Sequence, residues 1–565
     1  YSMAFTCAEP HSRLDEQSAS NGLKSAPRRA VLAAALALIL SAASCGSVVK
    51  QTPKREPQSR MRSIDHIKPI SGTWLNFQWP DARYKYMNAQ QAAFTCKDWE
   101  LKVSEMAEIG IEYLVFQSVA QKGKAFYRSA FMPGAGLACD DPLGAVMRAA
   151  EKRGLKVFLS CEFANDEDDD ISDPGIMETR LAIMRELSER FGASPAFYGW
   201  YFSAEGDASI CFGAPYVEYV NTLAARARRL TPGAKILIAP KGLRSIRWNK
   251  QYVAQLRLLN VDIVAYQDKV GCVQSPDPFE FGRVQFAGAR KMHDQVPHIA
   301  LWADIELFSW EGRLNSRDSA LIPAPFPRVL EQMAAVSPHV GRTLAFTALG
   351  MLDKPGSRAP TGHPAAREFY RQYERFLSGK CDMRILADAI AGRVRHAAVG
   401  ARTILNIHSE NADYESGAEL VDGVAASTYR PRGGWRVFSD GTMDVTVDLG
   451  KRVKLDYVGV HMLADHAGGV FLPEKASFLV SSDGAKYVSI GDAEPYAWHQ
   501  SADEKRIEII AAPPTRKKAR FVRIVSQGLR VPKDALPERT MLFASEIIVN
   551  PEKRSDRASA PAASR

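Results

Sequence analysis

AFYGWYFSAEGD, residues Ala196 to Asp207, decides the reading of this chain. Aromatic and apolar residues fill a strand-length run, and Glu205 follows just before a Gly-Asp turn signal. A second run of the same kind, HIALWADIELF at His298–Phe308, ends in Glu306. Two buried strands that each deliver a carboxylate at the C-terminal end point to one shared site.

Working outward from these two runs, short apolar stretches alternate with amphipathic ones from about Ile67 to Lys380. The expected strands are Gly72–Trp79, Glu112–Gln117, Lys156–Glu162, Ala196–Glu205, Lys235–Ala239, Val261–Gln267, His298–Glu306 and Thr343–Leu349. Helical patterns lie between them, as at Lys97–Ile109, Pro142–Arg153, Met177–Arg190, Tyr216–Leu230, Arg328–Val336 and Ala365–Leu377. Eight β–α units in one stretch have the rhythm of a (β/α)8 TIM barrel in the α/β class. An open doubly wound sheet is the alternative, but no GxGxxG turn follows the first strand.

Strand parity sharpens the barrel reading. His298, Ala300, Trp302, Asp304 and Glu306 share one face of the seventh strand, and apolar residues share the other. The apolar face belongs against helices, so the polar face points into the barrel. The same split sets Trp74, Asn76 and Gln78 against Leu75, Phe77 and Trp79, and groups Tyr201, Ser203 and Glu205.

After Cys381 helical periodicity fades and alternating runs bounded by turn residues take over to about Asn550, which predicts an antiparallel β-sandwich. The expected organisation is a leader with an export signal at 1–45, a linker at 46–66, the barrel at 67–382, a linker at 383–401, the sandwich at 402–550 and a disordered polar tail at 551–565. Arg28 and Arg29 precede the apolar Ala30–Ala43, which is shorter than the ~20 residues a spanning helix needs. SAASC resembles a bacterial lipoprotein box with Cys45 as the lipidated residue. An exported protein of the periplasm or cell surface follows, touching membrane only through that lipid.

The chain has 565 residues, 46% hydrophobic and 24% charged, with a net charge of +9. That balance describes a folded multidomain protein, expected to be a monomer, without the basic block of a nucleic-acid binder. Its eight cysteines form no CxxC pair, which argues against a zinc site. Cys139, Cys211 and Cys272 follow strands, so a bridge between two of them is an expectation. No HExxH, nucleophile elbow or P-loop occurs.

GWYFSAE at Gly199–Glu205, YQDKVG at Tyr266–Gly271 and LWADIELF at Leu301–Phe308 resemble a bacterial family known mainly as a domain of unknown function. That family is in turn similar to barrel glycosidases with glutamates after strands four and seven. The resemblance implies a retaining glycoside hydrolase with Glu205 as acid/base and Glu306 as nucleophile, and no catalytic cofactor. One departure is Ala204, where that superfamily has Asn. It keeps open a second reading, a non-catalytic glycan-binding lipoprotein with a degenerate barrel. Asn76, Gln78, Gln117, Glu162, Gln267, Asp268 and Asp304 are candidate contacts to a carbohydrate's hydroxyls. Trp74, Tyr201, Tyr266 and Trp302 are candidate stacking surfaces.

The C-terminal part resembles a discoidin, or coagulation factor five/eight type C, domain of galactose-binding-like fold. LVDG at Leu420–Gly423, VDLG at Val447–Gly450, VSSDG at Val480–Gly484, ARFVRI at Ala519–Ile524 and SEIIV at Ser545–Val549 carry it. The resemblance implies glycan binding and a structural calcium, with Asp422 and Glu546 as side-chain ligands.

Overall fold

The structure is a computed structural model that describes residues 66–80, 82–164, 170–273, 278–313, 316, 318–406, 417–426, 434–439, 441–495, 505–528 and 540–552. The leader, Cys45 and most of the C-terminal tail lie outside the described residues. Among the described residues no helix is long and apolar enough to cross a membrane.

Eight parallel strands close into a barrel. They are β1 (Ile70–Leu75), β2 (Tyr113–Phe116), β3 (Lys156–Leu159), β4 (Phe197–Phe202), β5 (Lys235–Ile238), β6 (Ile263–Gln267), β7 (Ala300–Glu306) and β8 (Thr343–Phe346). Seven fall inside the segments expected from sequence, and β1 begins at Ile70, two residues ahead of the expected Gly72–Trp79. Six of the expected strands overrun the observed C-terminal ends, because the residues there leave the hydrogen-bonded ladder, whereas β6 and β7 end at Gln267 and Glu306 as expected.

The helices begin where local chemistry starts them. α1 is Lys85–Ala92. Thr95 and Asp98 form a capping box at the start of α2 (Cys96–Glu108). Asp141 caps α3 (Pro142–Arg153), which ends at Gly154 in the left-handed region, φ 70°. Asp173 caps α4 (Pro174–Phe191). Next come α5 (Ala214–Leu230), α6 (Lys250–Leu258), the single turn α7 (Val270–Val273) and α8 (Pro278–His293). α9 (Phe326–Val336), α10 (Ala366–Leu377) and α11 (Cys381–Ile390) complete the set. A short hairpin, Phe308–Trp310 with Leu321–Pro323, rises from the end of β7.

The expected disulfide is corrected. Cys96 and Cys139 are bonded, which ties the start of α2 to the long loop after β2. Cys211 and Cys272 are not disulfide-bonded.

Two antiparallel sheets follow the barrel. The strands are β9 (Arg402–Leu405), β10 (Arg436–Phe438), β11 (Thr442–Lys454), β12 (Val458–Asp465), β13 (Pro473–Ser481), β14 (Val488–Ala493), β15 (Lys505–Ala511), β16 (Lys518–Gly528) and β17 (Leu542–Val549). One sheet runs β9-β11-β16-β13-β14 and the other β10-β17-β12-β15. Val445, Phe478 and Val522 from the first sheet and Val460, Met462 and Ile547 from the second share one core, so the sheets form a sandwich.

The stretch 383–401, expected as a linker, is not one. Helix α11 occupies its first half and packs on both α9 and β15. Ile385 and Ala389 of α11 share a buried cluster with Val394, Ala425 and Ile548. Ala398 is fully buried in the sandwich core. A ten-residue helix with mixed polarity leaves too short a periodic signal to be told from a loop.

Candidate active site

Glu205 stands beyond the end of β4, half-buried. Two neighbours fix its backbone. The Ser203 hydroxyl donates to the Gln117 carbonyl (2.6 Å) and meets the Ser160 hydroxyl (2.8 Å). The Ala204 N–H donates to Glu162 Oε2 at 3.1 Å. Gly206 is needed for the turn that follows, since a Cβ there would fall 2.3 Å from the Tyr216 ring. The carboxylate itself accepts from Gln267 Nε2 (2.8 Å), and the same amide donates to the Ala239 carbonyl (3.1 Å). Gln267 therefore ties the ends of β4, β5 and β6 together at the acid.

Glu306 closes β7 and is 2% exposed. Its Oε2 accepts from the Cys272 N–H (2.8 Å) and its Oε1 from the Cys272 thiol (3.2 Å). Its backbone is held from outside the barrel. Arg328 of α9 donates to the carbonyls of Glu306 (2.9 Å) and Phe308 (2.7 Å). Gln332, one turn later, donates to the Glu306 carbonyl (3.2 Å) and to Asp268 Oδ2 (2.7 Å). Asp268 Oδ1 accepts from the N–H groups of Val270 and Glu306, each at 3.2 Å.

Electrostatics set these carboxylates apart. Burial lifts Glu306 above the usual range, while Lys269, Cys272 and Arg328 pull it back. Lys269 occupies the left-handed region, φ 53°. Burial and the charge of Glu306 push Asp268 up to about 7. Asp304, beside Gln267 in register, is driven well up by burial and then by Asp268, Glu306 and Glu205. Burial and three neighbouring carboxyls all favour its protonated form. Its Oδ1 makes no hydrogen bond, nor does either amide atom of Gln117. Buried polar atoms without partners are what a hydroxyl-rich ligand satisfies.

Trp74 and Tyr201 meet edge-to-face at 5.8 Å with a hydrogen bond between them. Asn76 is 3% exposed, and its Oδ1 accepts its neighbour's N–H (3.0 Å). Three other candidates lie elsewhere. Gln78 turns away to donate to the Asn88 carbonyl (3.1 Å) ahead of α2. Trp302 fills the lower barrel against Tyr113 (5.0 Å) and Phe158 (6.3 Å), two residues below Asp304. Tyr266 points outward to the hydroxyl of Tyr252 (2.9 Å) and to His293 (3.1 Å). Adjacent residues of a strand face opposite ways, so an inward Gln267 forces Tyr266 out.

Glu162 is a supporting group. It is fully buried, bonded to the Tyr219 hydroxyl and 4.0 Å from Arg180. Burial raises its carboxyl, opposed first by Arg180 and then by Tyr219. Sequence reasoning missed Cys272, Arg328 and Gln332. The one visible signal was the polar pair at helical spacing on α9, where eight of the other residues from Phe326 to Val336 are buried.

In the sandwich, Glu546 Oε1 lies 2.8 Å from His396 Nε2. Its Oε2 makes no well-formed hydrogen bond, although the Gly423 N–H favours its ionised form. Asp422 adds like-charge repulsion to the burial that raises Glu546. A buried carboxylate with an unsatisfied oxygen facing a second carboxylate fits a hard cation.

No curated protein matches this sequence. Solved structures with a similar fold include a provisionally assigned alpha-L-fucosidase from Bacteroides thetaiotaomicron, 18% identical, covering 57% of this chain and 99% of that one, TM-score 0.42. A glycoside hydrolase family 5 protein from Bacteroides vulgatus is 12% identical over 83% of this chain and 92% of its own, TM-score 0.36. A Ruminococcus gnavus GH29 fucosidase solved with fucose is 11% identical over 86% and 98%, TM-score 0.29. The chemistry in those names belongs to those proteins. The family described as "Domain of unknown function (DUF4434)" matches residues 70–359, a span that holds all eight barrel strands with Glu205 and Glu306, and the chain belongs to that family.

Proposed function

We propose that this protein is a retaining glycoside hydrolase, with Glu205 as acid/base and Glu306 as nucleophile. The observation that carries this reading is the pair of glutamates at the C-terminal ends of β4 and β7, both facing the buried Asp304. Glycoside hydrolysis needs two carboxyls in different roles, and here their surroundings differ. Glu205 is half-exposed and held by a neutral amide, in reach of a leaving-group oxygen. Glu306 is buried and immobilised, with Lys269 and Arg328 supporting its charge. Asp304 and Gln117 supply hydrogen-bonding atoms for the sugar's other hydroxyls, and Trp74 with Tyr201 an aromatic surface.

The sandwich, of the galactose-binding-like type implied by its motifs, would bind glycan beside the barrel. Asp422 and Glu546 would hold a calcium whose charge offsets two crowded carboxylates. Export and lipidation at Cys45 would present a monomer at the cell envelope.

The test is a panel of p-nitrophenyl glycosides and polysaccharides with wild type, Glu205→Ala and Glu306→Ala. Glu306→Ala should abolish turnover. Glu205→Ala should spare activated aryl glycosides, which need little protonation, and lose poor leaving groups. Azide should restore Glu205→Ala through a glycosyl azide of retained configuration. Both variants keeping wild-type turnover on a confirmed substrate would end this assignment.

A further inference from the structure

We infer that Cys272 is the positioning residue of Glu306, gripping both carboxylate oxygens and so fixing which lone pair faces the barrel mouth. The inference rests on the reading of Glu306 as nucleophile. Two bonds from one residue, N–H to Oε2 (2.8 Å) and thiol to Oε1 (3.2 Å), lock the rotation of the carboxylate where one bond would leave it free.

The surroundings hold Cys272 for that task. Asp268 Oδ1 accepts the Val270 N–H at the start of α7. Trp310 Nε1 donates to the Gly271 carbonyl (3.0 Å). Residue 271 must be glycine for the approach, because a Cβ would lie 2.7 Å from the Phe308 carbonyl oxygen and 3.0 Å from Glu306 Oε2. The thiol is unbridged and fully buried, and it faces an acceptor that disfavours thiolate. It therefore serves as a donor and not as a nucleophile. The other titratable groups that face Glu306 are Lys269, Arg328, Asp268 and Asp304.

The experiment compares Cys272→Ala and Cys272→Ser with wild type. The first arm follows kcat and KM across pH on a p-nitrophenyl glycoside that the wild type hydrolyses. Cys272→Ala should lose roughly tenfold in kcat, the size of one hydrogen bond to a charged group. Its acid limb should move to higher pH, because the ionised Glu306 has lost a donor. Cys272→Ser should recover most of that loss. The second arm needs no substrate and follows thermal midpoints from pH 5 to pH 8. Cys272→Ala should cost more at high pH, where Glu306 is ionised, and Cys272→Ser should not. A loss of stability in Cys272→Ala that is equal at every pH, with an unmoved acid limb, would overturn the inference. The pH-dependent loss without turnover of any glycoside would keep it and remove the hydrolase reading instead.

Discussion

Gln267 Nε2 donates to Glu205 Oε1 at 2.8 Å, joining the end of β6 to the carboxylate after β4. Gln267 is itself pinned to the Ala239 carbonyl, so the acid is aimed by a side chain that cannot drift. Gln267→Leu should keep the fold and lower kcat by about tenfold, the value of one hydrogen bond. KM should change far less. Steady-state kinetics on the substrate identified above would check this, and equal effects on kcat and KM would count against it.

Glu162 holds the residue next to Glu205 through the Ala204 N–H and answers the charge of buried Arg180. Glu162→Ala should break a buried ion pair and its hydrogen bonds to Tyr219 and Ala204, and cost roughly 3–5 kcal/mol. Urea unfolding would measure it. The removal of both charges, Glu162→Gln with Arg180→Met, should recover part of the loss.

Asp268 is lifted from 3.8 to about 7 by burial and by Glu306. The folded protein thus keeps a proton that the unfolded chain releases. This contribution is complete below the unfolded value and is lost as pH rises through about 7. Asp268→Asn retains an acceptor at Oδ1, and Gln332, whose Oε1 has no partner, can turn its amide to meet the new donor. The variant should gain thermal stability relative to wild type between pH 5 and pH 8. A constant difference across that range would contradict the assignment.

α9 carries Arg328 and Gln332 to the site and packs its far side on β15 and α11. Ile509 of β15 belongs to the contacts of the barrel core. A barrel fragment that ends at Lys380 should therefore be less stable than the full chain and lose activity out of proportion. The sandwich fragment that starts at Arg402 lacks His396 and Ala398, both buried. It should unfold well below one that starts at Lys380, which circular dichroism melts would show.

Sequence alone determined the barrel. Apolar runs of strand length alternating with amphipathic helices fit a closed barrel or an open doubly wound sheet, the missing GxGxxG turn counted against the sheet, and the parity of LWADIE put Trp302, Asp304 and Glu306 on one face. The two sheets after Cys381 were legible for the same reason, since alternation with period two is written locally. The order along a strand was less so. Trp302 and Glu306 share a face, yet the first fills the lower barrel and the second the rim, because depth depends on register with β6 and β8. Tyr266 was misplaced because one side of a strand looks like the other until Gln267 is seen to face Glu205.

Only the tertiary structure decided what holds the carboxylates. Cys272 lies 34 residues before Glu306, Arg328 and Gln332 lie 22 and 26 residues after it, and no local pattern links them to it. The pairing of Cys96 with Cys139, over 43 residues, was hidden in the same way. Secondary structure follows from neighbours in sequence, whereas a buried charge is satisfied by whichever donors the closed barrel brings within 3 Å or so.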